Sequence, residues 1–378
     1  MILLVALVAG CGGGSSSTSG GTSGGSEGDG SSSDYLSQVE ANVETLLSPM
    51  GTFKEEPTTS PIKAGEGRKI EVISCGQQVV TCAEATAGAM EAAKKLGWQA
   101  TLFDAKLDYP SAATGIRQAV ANGVEGIFIY FMDCSNFKSA LEEAKKAGVF
   151  VVAADARDCS ETNPGAPSLL DYIIHYAGNA DYDTYQEEYF HAIGEYMMAK
   201  TGGESKAQFV GEETPTGQLS EASLKELYAK CSGCSLEFVK YPGSAFGTRL
   251  QGIAEQELLK HPEVNSVIPG YEAVSLEVYP AVRASGRSSE IITFLGEGAE
   301  ASINLLREGA NGVATSTPVE WEGYAGVDAL GRVMLGQKPV PMGQGVRLVD
   351  AEHNMPKSGP AGSPVDFKAM YEKAWGLK

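Results

Sequence analysis

Residues 123–158, GVEGIFIYFMDCSNFKSALEEAKKAGVFVVAADARD, decide the fold. Two apolar runs, Gly126–Met132 and Val149–Ala154, flank a helical pattern. Ile127, Phe128, Ile129, Tyr130 and Phe131 are β-branched or aromatic and nearly continuous, as in a strand buried on both faces. Between the runs, Phe137, Leu141, Ala144 and Ala147 return every three or four residues, while Lys138, Glu142, Glu143 and Lys145 fill the other face. Gly148 follows as a helix C-cap. Strand, helix and strand with short connections make a right-handed βαβ unit, which commits the region to a parallel sheet. The strands end in polar residues, Asp133-Cys134-Ser135 and Asp155-Ala156-Arg157. In open α/β sheets ligands bind beyond the carboxyl ends of the strands, so a site is expected here.

The same alternation extends in both directions. Upstream, strands are predicted at Lys69–Ser74 and Ala100–Phe103, and helices at Cys82–Leu96 and Pro110–Asn122, closed by Gly97 and Gly123. A second round begins near Gly178, with helices over Thr184–Lys200, Leu219–Ala229, Thr248–Lys260, Val274–Ala284 and Ala299–Arg307. Its strands are Ala207–Gly211, Leu236–Tyr241, Ser266–Pro269, Ile291–Leu295 and Val313–Ser316. A helix over Trp321–Leu335 and a late strand at Val346–Val349 follow. The expected fold is α/β, two doubly wound parallel-sheet lobes.

The chain has 378 residues and a net charge of -19, which argues against a nucleic-acid partner because phosphate binding needs a basic surface. No apolar stretch approaches the ~20 residues of a spanning helix. Residues 1–10, MILLVALVAG, form a short apolar run, and Val8-Ala9-Gly10-Cys11 resembles the bacterial lipobox, in which lipid is attached to the cysteine. No Lys or Arg precedes Cys11. The Gly/Ser tract that follows, to Ser33, suits a flexible tether. Residues 1–10 are thus expected to be a signal peptide and 11–33 a lipidated linker. Residues 34–66 are expected to form a helix over Asp34–Pro49 and an extended connection.

Cysteines other than Cys11 number six: Cys75, Cys82, Cys134, Cys159, Cys231 and Cys234. In an exported chain an even count points to disulfides. Cys75 and Cys82 span one strand–helix loop, and Cys134 and Cys159 follow adjacent strands. Local pairing would join each couple, although spacing alone leaves the connectivity open. Cys231-Ser232-Gly233-Cys234 has the spacing of a redox motif but lies between a helix end and a strand, so a structural disulfide is expected. The four histidines have no metal-ligand spacing, and there is no P-loop, G-x-S-x-G or H-E-x-x-H. Neither a metal nor a cofactor nor a catalytic residue is expected.

Five phrases, in order, resemble a type I periplasmic (solute-) binding protein of the ribose/galactose-binding branch. They are AMEAAKKLGWQATLFDA (89–105), IRQAVANGVEGIFIYFMD (116–133), ALEEAKKAGVFVVAADARD (140–158), LLKHPEVNSVIPGYEAVSLEVYPAVRASGR (258–287) and IITFLGEGAEASINLLREG (291–309). The resemblance covers about Lys69 to Val349 and implies three hinge crossovers, near Ala177–Asn179, Ser316–Pro318 and Gly343–Val346. Lobe 1 would be residues 67–177 with 317–344, and lobe 2 residues 178–316 with 345–378. It also implies a ligand between the lobes. The family's pocket positions fall on Gln77 and Gln78, Tyr130, Asp155 with Arg157, Glu221, Phe246, Tyr271-Glu272, Glu297 and Ser316, with Trp321 just past a crossover. Carboxylates are kept while Arg157 is the one candidate cation, and aromatic faces are plentiful. Such a cleft suits a sugar ring, or a cationic or aromatic solute.

The leading expectation is therefore an extracytoplasmic, membrane-anchored lipoprotein that captures a small solute, a carbohydrate first, and passes it to ABC permease subunits. A monomer touching the membrane through its lipid alone is expected. A sensor subunit serving a membrane receptor shares every one of these features. A hydrolase using Asp155 and Glu297 is the third alternative, and no motif favours it.

Overall fold

The computed structural model describes residues 29–55, 62 and 67–377. The expected signal peptide, the lipidation site Cys11 and most of the Gly/Ser linker lie outside the described residues.

The first sheet comprises β1 (Lys69–Ser74), β2 (Gln99–Asp104), β3 (Gly126–Tyr130), β4 (Phe150–Ala154) and β5 (Tyr172–Ile173). Their spatial order is β2-β1-β3-β4-β5, all parallel. Every residue of β3 is buried, as its unbroken apolar run requires. The second sheet comprises β6 (Lys206–Glu212), β7 (Ser235–Tyr241), β8 (Ser266–Pro269), β9 (Ile292–Gly296), β10 (Gly312–Thr315) and β11 (Leu348–Val349). Its order is β11-β10-β9-β8-β6-β7, with β11 alone antiparallel.

Helices fill the connections. They are α1 (Asp29–Leu46), α2 (Val80–Lys95), α3 (Tyr109–Ala121), α4 (Lys138–Lys146), the single turn α5 (Cys159–Thr162) and α6 (Tyr182–Lys200). Then come α7 (Pro215–Ala229), α8 (Leu250–Lys260), α9 (Glu272–Ala284), α10 (Glu300–Arg307), α11 (Val319–Met334) and α12 (Phe367–Ala374). Helix α1 begins five residues before the expected Asp34 start. The return of α11 to the first lobe is written in glycine: a Cβ at Gly88 of α2 would meet the Glu320 carbonyl at 2.4 Å, and one at Gly323 the Ala85 carbonyl at 2.1 Å. The two helices therefore approach backbone to backbone.

The crossovers run side by side. Ala177 N–H donates to the Gln344 carbonyl at 2.9 Å, and Ser316 N–H to the Arg347 carbonyl at 2.8 Å. Two further passages join the lobes. The segment after α1, which packs on α6 of lobe 2, runs along the third crossover. Thr52 N–H donates to the Val346 carbonyl and Lys54 N–H to the Gly343 carbonyl, both at 2.9 Å. Ile62 is then buried in lobe 1. At the other end, β11 joins the lobe 2 sheet, but α12 docks on lobe 1. There Phe367 stacks on Trp321 (5.3 Å between centroids, 7° between planes) and Glu372 pairs with Lys95 at 2.7 Å. The expected assignment of all of 345–378 to lobe 2 is corrected accordingly. The aromatic residues of α12 need an apolar partner, and the exposed face of α11 supplies one.

All three local disulfides are formed: Cys75–Cys82, Cys134–Cys159 and Cys231–Cys234, with Cα separations of 5.9, 5.1 and 5.3 Å. The second joins the loops that follow β3 and β4, beside the cleft described next.

Candidate ligand-binding cleft

The carboxyl ends of both sheets face one another across a cleft. Lobe 1 supplies Phe131, Met132 and Asp133 after β3 and Asp155 after β4. Lobe 2 supplies Glu212 at the end of β6, Thr214 and Thr216 just beyond it, Tyr271 after β8 and Glu297 after β9. Thr317 comes from the second crossover, and α6 adds Tyr185, Gln186, Tyr189 and Phe190. The lobes touch across the opening. Phe131 and Tyr271 meet edge to face at 5.8 Å, and the Thr216 hydroxyl reaches Asp133 Oδ2 at 3.5 Å. Arg157 Nη2 bonds Asp183 Oδ2 of α6 at 2.8 Å.

Asp155 sits at the base. Its backbone is left-handed, with φ 48°, so the carboxylate turns from the strand into the cleft. It accepts from the Tyr130 hydroxyl at 3.2 Å and from the Tyr176 hydroxyl. Behind it Glu322 is fully buried, and its Oε1 accepts from the Gln344 amide at 2.6 Å. Burial and the adjacent Asp155 charge drive the Glu322 carboxyl well above the carboxylate range. Burial also raises Asp155, against the opposing effect of the tyrosine hydroxyls. A buried acid, a crossover amide and a crossover tyrosine thus hold Asp155 where the hinge segments meet.

Glu297 is the other acid with a large shift. Burial, then the charges of Glu272 and Asp155, push it to about 8. A carboxyl that binds its proton more tightly folded than unfolded contributes less as pH rises from its unfolded value of 4.5 to about 8. The unliganded protein is expected to lose stability over that window, by ~1.4 kcal/mol per unit of displacement. Glu297→Gln should flatten the slope in a melting series, and a variant that tracks the wild type throughout would contradict this.

Of the residues expected to bind ligand, Asp155, Tyr271 and Glu297 line the cleft, with Tyr130 supporting Asp155. The others are placed elsewhere. Trp321 is wholly buried between Phe53 and Phe367, because the face of α11 it occupies is covered by α12. Glu272 is also wholly buried and turns into its own lobe, where Oε2 accepts from the Gly298 and Ala299 N–H groups and the Ser302 hydroxyl at the start of α10. Ser316 is held by Arg347 and the Gly362 carbonyl. The Gln77 amide bonds Ser74 and Thr86 inside lobe 1, and Gln78 is exposed. Glu221 pairs with Lys240 at 2.7 Å outside the cleft, and Arg157 bonds Asp183. Phe246 is half-buried beside Tyr271, 6.4 Å between centroids.

Asp133 belongs to the polar segment after β3 where a site is expected, and Glu212, which is not among the expected residues, ends β6 as the carboxyl-end rule requires. Tyr182, Tyr185, Gln186 and Tyr189 repeat at helical spacing on one face of α6.

The family pattern described as "Periplasmic binding protein domain" matches residues 80–338. The chain belongs to the periplasmic binding protein family. Members of this family bind solutes and carry out no chemical step, which sets the hydrolase alternative aside. No curated protein matches the sequence of this binding protein. Solved structures share its fold at low identity. An ABC sugar transporter subunit from Rhodobacter sphaeroides is 15% identical with a TM-score of 0.63, over 76% of this chain and 99% of that one. A solute binding protein from Burkholderia graminis, in complex with D-arabinose, is 17% identical with a TM-score of 0.65, over 79% and 99%. The binding protein of the arabinose ABC transporter from Shewanella, bound to L-arabinofuranose, is 17% identical with a TM-score of 0.64, over 82% and 96%. The fold of the present binding protein is the type I architecture of these sugar-transport relatives, as the sequence phrases imply.

Proposed function

We propose that this chain captures a small polyhydroxylated solute between its lobes, outside the cytoplasm, and delivers it to the permease of an ABC importer. The observation that carries the reading is the cleft itself. Acceptor carboxylates (Asp133, Asp155, Glu212, Glu297), hydroxyls (Thr214, Thr216, Thr317) and aromatic faces (Phe131, Tyr271) converge from both sheets on one enclosed space. Hydroxyl-bearing rings need both in-plane acceptors and flat apolar faces. Sugars named with the related structures, D-arabinose and L-arabinofuranose, have this chemistry. The opposed lobes and parallel crossovers suit closure by hinge motion.

Attachment to the membrane through lipid at Cys11, with the Gly/Ser tract as tether, completes the proposal. One acyl chain holds a protein only weakly, so firm anchoring needs more than one. A melting-temperature screen against pentoses, hexoses and inositols tests the capture role. Ligand at ~100 times its dissociation constant adds ~2.7 kcal/mol of stability, so a binder stands out. No shift with any member would contradict a carbohydrate ligand. For the anchor, Cys11→Ala should move the protein from the membrane to the soluble fraction; unchanged retention would sink that part.

A further inference from the structure

The charge of the cleft carries the reading further. Asp133, Asp155, Glu212 and Glu297 all line it, and among the described residues no Lys, Arg or His does. Arg157, whose backbone N–H donates to Asp133, gives Nη2 to Asp183 and does not line the cleft. Neutral sugars are commonly fixed by a carboxylate and a guanidinium acting together, because the pair supplies acceptors and donors and cancels its own charge. Here the acceptors stand without the donors. An enclosed space with several carboxylates and no cation is costly until something positive enters.

We propose, building on the carbohydrate reading, that the solute carries a protonated amine on its hydroxylated ring, as in an amino sugar or an aminocyclitol. Glu297 is the partner of the ammonium. Its Oε2 already accepts from the Glu272 N–H, which leaves Oε1 for the cleft. The edge-to-face pair of Phe131 and Tyr271 offers aromatic faces that favour a cation. A bare metal ion fits less well. Among the described residues no group of three or more His, Cys, Asp or Glu could hold one, so the acids surround a space of molecular size rather than a point. Burial raises all four lining acids, as expected for carboxylates awaiting a counter-charge. The net charge of -19 draws cations toward the protein. An incoming ammonium displaces the proton that Glu297 holds at neutral pH, and that proton leaves to solvent.

The test is titration calorimetry on the oxidised protein with matched probes: D-glucosamine, D-glucose and N-acetyl-D-glucosamine, and the same three in the galactose series. Running each in two buffers of different ionisation enthalpy reads proton release. At least one amine should bind ten times or more tighter than both its parent and its neutral N-acetyl form, with release of up to one proton. Glu297→Gln should remove the release and most of the preference. Parent sugars that bind as well as their amines would overturn the charge assignment and leave the carbohydrate reading standing. Failure of all six probes would overturn the amine assignment, while the carbohydrate reading stands or falls separately on the pentose, hexose and inositol screen.

Discussion

Replacing Trp321 by alanine is expected to lower the unfolding free energy by ~3–5 kcal/mol, the range for deleting a large buried aromatic. The indole is fully buried, stacked on Phe367 at 5.3 Å and packed 6.1 Å from Phe53. Those rings belong to the two ends of the described chain, so the cavity would loosen α12 and the segment after α1 together. Solute affinity should change little at temperatures where the variant stays folded, since no part of Trp321 lines the cleft. Chemical denaturation of the unliganded variant gives the first number and titration the second. A stable variant that binds weakly would return Trp321 to the cleft.

Trp321 also marks where the sequence stops being informative. Its position after a crossover is legible, but the partner that covers it is not. Residues 351–366 between β11 and α12 carry no periodic signal, so nothing local states that the chain leaves lobe 2 and returns to lobe 1. The two lobes were legible because β3 and its neighbours are buried on both faces and cannot be mistaken for amphipathic strands. Within the cleft, the local rule about strand ends pointed to Asp155, and the same rule covers Asp133 and Glu212. Positions carried over by family order alone, Glu221, Ser316 and Gln77, landed in an ion pair, a hinge clasp and a lobe interior.

The second large effect is at Asp155. Removing a charged hydrogen-bond acceptor for the solute should cost ~1.5–3 kcal/mol of binding, a loss of ~10-fold to ~150-fold in affinity. Asparagine is the cleaner replacement, because it tolerates the left-handed backbone at this position, its Oδ1 accepts from one of the two tyrosine hydroxyls and its Nδ2 donates to the other. Alanine would leave both tyrosine hydroxyls without that acceptor. Burial already disfavours the ionised form of Asp155, so the unliganded Asn variant should be as stable as the wild type or more so. Gain of stability with loss of function is the signature of a group kept for its ligand.

That pair of readings also tests the claim on which everything else depends, that the cleft between the lobes is where the solute is held. The measurement is the dissociation constant of Asp155→Asn for the tightest-binding sugar or amino sugar of the panels above, beside a melting curve without ligand. The account predicts at least ~10-fold weaker binding with an undiminished melting temperature. Wild-type affinity in the variant would place the solute elsewhere and contradict it.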